Sequence, residues 1–360
     1  MSHPKIKFGT DGWRAVIAED FTFANLERVA QATAEYWKKH RPRDTRKRVV
    51  IGCDRRFLAD QFAERAAEVF AGNGFEVTLG DSPTPTPAIS YAVKAEKAVG
   101  GIVITASHNP AAFCGFKLKG HFGGSAPSET CQAVETLLDA KPVKSLDLHL
   151  AKLRRLIRVR DLHAPHARAI RELVDFDLIA HSGLRFAHDA LFGVGAGSFE
   201  KILDGTQCKV TTLNAEHDPF FGGIHPEPIV HNYGPSAVFL KKNPHDLCLV
   251  TDGDADRVGG MDGRGNALTT HQVICLLLHH YIVNRGQRGS RRQGADDHFD
   301  GGSHMRGARA GTARDRCRLQ VHLHRDAKGR RAAWLRGEWW NWVSGAYPGA
   351  RRHPRWLGIT

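Results

Sequence analysis

No run of about 18 apolar residues occurs in the chain, which excludes a membrane-spanning helix. Met1 is not followed by the basic-then-apolar segment that directs secretion. The seven cysteines (Cys53, Cys114, Cys131, Cys208, Cys248, Cys275, Cys317) are odd in number, scattered, and form no C-x-x-C pair. That pattern excludes a disulfide framework and a structural zinc site, and it fits a reducing cytoplasm. No segment recurs at a fixed period, so a solenoid is excluded. The run Gly193-Val194-Gly195-Ala196-Gly197 has Ser198 where a dinucleotide fingerprint needs its last glycine, and no acidic partner is evident. It reads as a tight turn.

What is present is an uneven charge. The 360 residues carry a formal net charge of +13, a value that suggests nucleic-acid binding. From Arg285 to Thr360 there are 17 Lys and Arg against 6 Asp and Glu, whereas residues 1–284 hold 34 against 32. The basicity therefore belongs to the tail, which also holds five of the seven tryptophans and no apolar run long enough to build an element. At this length the chain has room for two or three domains, each with its own core.

The periodicity ahead of the tail predicts alternating helices and strands. Leu26, Val29, Ala30, Ala34 and Trp37 recur at helical spacing between Thr22 and His40. Val49–Gly52 reads as a buried strand ending in Cys53-Asp54-Arg55-Arg56, followed by a helix over 59–71 and a strand over 75–79. Ser82–Pro87 is a stiff turn leading to a further helix, and Pro127–Ala140 is another helix. Residues 141–165 read as a linker or a lone surface segment. A second α/β unit is entered by a helix over 166–179, with strands over 184–188, 208–213 and 247–250 and a helix over 198–203. This order predicts mainly parallel sheets with helices packed on their faces.

Three stretches carry candidate chemistry. In Gly101-Ile102-Val103-Ile104-Thr105-Ala106-Ser107-His108-Asn109-Pro110 a buried strand stops at a serine, the edge where ligands bind in open α/β sheets. A serine there is a candidate nucleophile; alone it also fits a plain turn cap. Lys117, ten residues on, is either a cation folded back over the serine or a solvated lysine. Leu247–Arg257 is a strand ending in Asp252, Asp254 and Asp256, three oxygen ligands that suit a hard divalent cation such as Mg²⁺. An EF-hand needs glycine and glutamate where Arg257 and Gly263 stand, so that reading fails; a solvated acidic turn is the plainer alternative. Gly9-Thr10-Asp11-Gly12-Trp13-Arg14 is a loop that admits close backbone approach and ends on a guanidinium, although an ordinary turn also fits.

A nucleophile, a cation site and basic residues beside each point to phosphoryl transfer. These three stretches, in this order, resemble the signatures of the α-D-phosphohexomutases, the phosphoglucomutase/phosphomannomutase family, over about residues 5–284. The resemblance implies an α/β fold of successive mixed-sheet domains. It implies that Ser107 is a phosphoserine passing its phosphoryl group between the 1- and 6-positions of a hexose phosphate through a bisphosphate. It further implies Mg²⁺ held by Asp252, Asp254, Asp256 and the Ser107 phosphate. Arg14 and Lys117 would assist proton transfer, and His108 and Arg257 would support them, Arg257 as a substrate contact. Cys114 stands where the family usually has asparagine, which leaves the Lys117 loop less defined. No nucleic-acid or membrane partner is implied, the expected location is the cytoplasm, and the sequence sets no oligomeric state.

The family has a third domain with a G-E-x-S-G sugar-selecting loop and a fourth with a phosphate-binding loop. Read one nucleotide later, the codons for Ala295–Gly301 permit Leu-Thr-Thr-Thr-Ser-Met. In the same frame those for Glu338–Val343 force Ser or Asn, then Gly, Gly, Ile or Thr, and Gly. Both look like third-domain sequence. They imply a frameshift near Gly286–Arg292, equivalent to one inserted base, which also explains the surplus of Arg and Trp; a basic tail peculiar to its lineage is the other reading. The expected organisation is a phosphoserine domain over 1–145, a metal-loop domain over 146–258, the start of a sugar-binding domain over 259–285, and an out-of-frame, poorly packed tail over 286–360. The third domain would then be disrupted and the fourth absent, with mutase activity impaired. The alternatives are an inactive fragment or pseudogene product, and a basic nucleic-acid binder. Glucose, mannose and glucosamine phosphates stay open as substrates.

Overall fold

The computed structural model describes residues 6–9, 12–285, 320–325, 331–336 and 357–358. The chain divides into two units, Met1–Ala267 and Leu268–Thr360.

The first unit begins with β1 (Trp13–Val16), α1 (Phe23–Lys39), β2 (Arg46–Cys53), α2 (Ala59–Gly72), β3 (Glu76–Gly80), α3 (Thr86–Ala95), β4 (Ala98–Ile104), β5 (Phe113–Gly120), α4 (Ser128–Glu135), α5 (Leu148–Leu153) and β6 (Ile157–Arg160). Its six-stranded sheet runs β1-β5-β4-β2-β3-β6. The pairs β4–β2, β2–β3 and β3–β6 are parallel, while β5 lies antiparallel to β4 and β1 antiparallel to β5. Both faces are covered, so β2 reads as a continuous apolar run. Val49 and Ile51 enter the larger core with Leu26, Phe62 and Phe70, and Val50 enters a smaller one with Ile89 and Val93. α1 starts where the Thr22 side chain accepts from the Asn25 amide (3.3 Å), and it carries Lys38 and Lys39 in its last turn.

The chain continues through α6 (His163–Leu173), α7 (Phe176–Ala180), β7 (Arg185–Asp189), α8 (Ser198–Leu203), β8 (Lys209–Leu213), α9 (Gly234–Lys242), β9 (Leu247–Thr251) and β10 (Val258–Asp262). These strands form a second sheet in the order β10-β9-β7-β8, with β7, β8 and β9 parallel and β10 antiparallel. Ala187, Leu191, Tyr233, Cys248, Val250 and Met261 make its core.

The two sheets are mainly parallel, as the alternation predicts: five of their eight strand pairs run parallel, while β1–β5, β5–β4 and β10–β9 are antiparallel and make both sheets mixed. Four expectations change. Lys117 stands on β5 and not on a loop. Residues 141–165 are no bare linker, since they contain α5 and β6, the edge strand of the first sheet. The helix expected over 166–179 is two helices, α6 and α7, and that over 127–140 ends at Glu135. The six described cysteines are free, and no helix among the described residues is long and apolar enough to cross a membrane.

The second unit opens with α10 (Thr270–His279), capped by a reciprocal Thr269–Gln272 box. It also contains an antiparallel sheet of β11 (Gln320–Arg325), β12 (Arg331–Arg336) and β13 (Leu357–Gly358). The tail thus holds short strands where the sequence reading expects no element; the alternation of Val321 and Leu323 with histidines is period two, but too brief to register. The remainder of 286–360, and with it the expected poor packing, lies outside the described residues.

Candidate active site

Two strand ends from the two sheets meet at one point. β4 delivers Ser107, and β9 delivers the loop Asp252–Arg257. Ser107 has φ 53°, the left-handed region, which costs a non-glycine residue about 1–3 kcal/mol unless contacts hold it. Here its amide donates to Thr105 Oγ1 (2.8 Å) and its carbonyl accepts from Arg56 Nη2 (2.7 Å). So fixed, Ser107 is buried and its Oγ donates to Asp252 Oδ2 at 2.9 Å.

The Asp252 loop approaches this closely because two glycines make room. A Cβ on Gly253 would stand 2.6 Å from the Ser107 carbonyl oxygen, and one on Gly193 would stand 2.8 Å from the Asp252 carbonyl oxygen. The Gly193–Gly197 run is therefore a turn on which the acidic loop rests, joined to it by the Val194 amide donating to Gly253 O (3.0 Å). Asp252 Oδ1 accepts from the amides of Asp256 and Arg257, both at 3.0 Å, which curls the three carboxylates inward.

One ligand atom from each of Asp252, Asp254 and Asp256 lies within 4.8 Å of the others. Burial, then the neighbouring Asp254 and Asp256, push the Asp252 carboxyl well above the ordinary carboxylate range. Burial opposes ionisation of Asp254 too, but the Lys117 ammonium and the Thr86 hydroxyl outweigh it and hold that group below the ordinary range. Thr86 Oγ1 donates to Asp254 Oδ2 at 2.7 Å; Lys117 Nζ donates to the same oxygen at 3.3 Å and to Asp256 Oδ2 at 3.0 Å. Asp254 Oδ1 is buried with no hydrogen-bond partner. An orphaned carboxylate oxygen inside a converging all-oxygen set fits a hard metal ion, which would satisfy that atom and offset the crowded charge.

Cations border the cluster. Arg257 lies 3.9 Å from both Asp252 and Asp256 and 3.6 Å from Glu227. Arg14 Nη1, on β1, donates to Asn109 Oδ1 at 2.7 Å, just beyond Ser107. His108 is held neutral, with its pKa pushed down to about 3 by burial and by Arg257 and Arg14. Its Nδ1 is buried without a partner.

Of the residues singled out from the sequence, Ser107, Lys117, Asp252, Asp254, Asp256 and Arg257 stand in one cluster. His108 flanks it, and Arg14 stands beside His108, hydrogen-bonded to Asn109. Thr10 and Asp11 lie outside the described residues. Sequence reasoning missed Thr86, Thr105, Asp54, Arg56, Asn109 and Glu227. The available signals were Asp54-Arg55-Arg56 at a third strand end and a threonine two residues before Ser107.

Family models for phosphoglucomutase/phosphomannomutase α/β/α domain I and domain II match residues 5–143 and 164–265. A phosphoglucomutase/phosphomannomutase of Thermococcus kodakarensis is 30% identical over 78% of this chain and 60% of its own length. A phosphoglucosamine/phosphogalactosamine mutase of Sulfurisphaera tokodaii is 29% identical over 72% of this chain and 55% of its own. A solved structure from Thermus thermophilus, described as a phosphomannomutase, is 35% identical, with a TM-score of 0.72 over 80% of this chain and 64% of that one. The chain spans 54–60% of the length of these curated relatives and a Komagataeibacter xylinus phosphoglucomutase. With both domain models matched in order and their sheets meeting at the serine and the acidic loop, the chain belongs to the α-D-phosphohexomutase family.

Proposed function

We propose that residues 5–265 carry the phosphoryl-transfer half of a phosphohexomutase, with Ser107 as the group that is phosphorylated and Mg²⁺ as the cation. The observation that carries this reading is the 2.9 Å hydrogen bond from Ser107 Oγ to Asp252, a serine hydroxyl against a carboxylate triad with an orphaned oxygen. Asp252, Asp254 and Asp256 would hold Mg²⁺ together with the Ser107 phosphate. When bound, the ion supplies positive charge that offsets the phosphoryl oxygens.

In the forward half-reaction a hydroxyl oxygen of a hexose phosphate attacks phosphorus, the bond from phosphorus to Ser107 Oγ breaks, and the hydroxyl proton ends on that oxygen. Lys117 and Arg14 stabilise the charge and assist the proton's passage, with His108 beside them and Arg257 holding substrate phosphate. The resulting bisphosphate turns over and returns its other phosphoryl group to Ser107, so the net change is a 1- to 6-shift. Glucose, mannose and glucosamine phosphates share this chemistry, and the choice among them is read to lie beyond residue 265. The odd number and scatter of the cysteines in the sequence support a cytoplasmic setting.

The test is to incubate the 360-residue chain with glucose 1,6-bisphosphate and Mg²⁺ and map phosphate by peptide mass. Phosphate on Ser107, absent in Ser107→Ala and strongly reduced in Asp252→Asn, is the expected result. A wild-type chain that takes up no phosphate counts against the reading.

A further inference from the structure

Behind Ser107 lies a second buried polar assembly, built from the end of β2. All five N–H donors of Arg56 are used. Nε donates to Asp54 Oδ2 (3.2 Å), Nη1 to the carbonyls of Pro110 and Phe113 (2.8 Å each), and Nη2 to the carbonyls of Ser107 and Asn109 (2.7 Å each). The side chain is fully buried, and the ring of Phe221 covers its guanidinium 5.0 Å away. Asp54 also accepts from the Arg56 amide (3.0 Å) and from Thr105 Oγ1 (2.5 Å); Thr105 Oγ1 in turn accepts from the Ser107 amide.

We propose that Asp54, Arg56 and Thr105 form a clamp that sets the backbone of the Ser107–Phe113 loop, and that Arg56 is the positioning residue for Ser107. The inference rests on the phosphoserine reading above. Four carbonyls of one short loop converge on one planar fork, a task for which guanidinium geometry is suited and a lysine ammonium, with three donors, is not. The clamp grips Ser107 on both sides of its left-handed Cα, through N–H by way of Thr105 and through C=O by way of Arg56. That conformation aims Oγ at Asp252. Arg56 touches none of the reacting atoms; it acts through the serine backbone. Phe221 belongs to the segment between β8 and α9, so the same guanidinium also seats the second sheet's side of the unit against the loop.

The experiment uses the full chain as Arg56→Lys, Thr105→Val and Thr105→Ser. Amide exchange is read across 107–113 and, as an internal control, across β8, in parallel with the rate at which glucose 1,6-bisphosphate phosphorylates Ser107. Arg56→Lys and Thr105→Val are expected to speed exchange in the loop by about tenfold or more without changing β8, and to slow phosphorylation by a similar factor. Thr105→Ser, which restores the hydroxyl, should return both readouts to within about threefold of wild type. Unchanged loop exchange in Arg56→Lys and Thr105→Val overturns the clamp, as does a Thr105→Ser variant no better than Thr105→Val. If Arg56→Lys fails to fold, the near-isosteric Thr105→Val decides. If the wild-type chain takes up no phosphate, the function proposed for Ser107 fails, while the exchange measurements still decide the clamp.

Discussion

Thr86 shows how much the site depends on residues without chemistry of their own. Its hydroxyl donates to Asp254 Oδ2 at 2.7 Å, and its amide donates to the Asp254 carbonyl at 3.0 Å, so the start of α3 holds the centre of the acidic loop at both ends. The hydroxyl bond is buried and charge-assisted, a type that contributes about 1.5–3 kcal/mol. Thr86→Val keeps the shape and the amide but removes that donor. Stability should fall by roughly that amount in urea unfolding. Mg²⁺ affinity, measured by calorimetric titration, should weaken by about 10–100-fold, the usual cost of losing an outer partner of a metal ligand. Unchanged affinity would make Thr86 a packing residue only.

Among elements, the acidic loop and the Ser107 loop are pressed so closely that one hydrogen atom is all Gly253 can carry. A Cβ there would also stand 3.1 Å from Pro226 Cγ, so the loop has no easy direction in which to yield. Gly253→Ala should destabilise the unit by about 1–3 kcal/mol as overpacking does, and should slow Ser107 phosphorylation through the displaced carboxylates. A variant with wild-type unfolding and wild-type uptake would show that the two loops part freely. These loops were legible because β2, β4 and β9 are buried runs of Val, Ile and Leu that break off at polar residues. β5 was not legible as a strand, because Lys117 and Lys119 are buried in it and a lysine in a sequence reads as solvent-facing. β6 and β1 are four-residue edge strands, too short for a period. The clamp was legible only in part: Asp54-Arg55-Arg56 at a strand end and Thr105 beside Ser107 stand in the sequence, but the four main-chain carbonyls that Arg56 gathers are acceptors any residue supplies. The three motifs and Lys117 named the acidic and basic side chains, whereas how other residues orient them emerges only from the folded chain.

Taken as a whole, the first unit gathers three carboxylates where its two sheets meet, Asp252 and Asp254 buried and Asp256 half-buried, and only part of their charge is answered by Lys117 and Arg257. Ser107, Thr86 and Lys117 come from the first sheet and its helices, and the carboxylates come from the second, so a cation bound by the triad joins both halves. It binds the folded chain, in which three ligands already converge, and has no such site in the unfolded chain. Linkage then fixes the sign and size of its effect. Mg²⁺ at about 100 times its dissociation constant should stabilise the fold by roughly 2.7 kcal/mol. For a unit of this size that corresponds to a rise in melting temperature on the order of 5–10 °C, reversed by EDTA. Asp254→Asn removes a ligand charge and should abolish most of the rise, although the variant itself relieves repulsion and need not melt lower than the metal-free wild type. Scanning calorimetry of both proteins with and without Mg²⁺ separates the outcomes. Equal melting temperatures in every condition would mean that the triad holds no cation, and that the orphaned oxygen of Asp254 is answered by solvent alone.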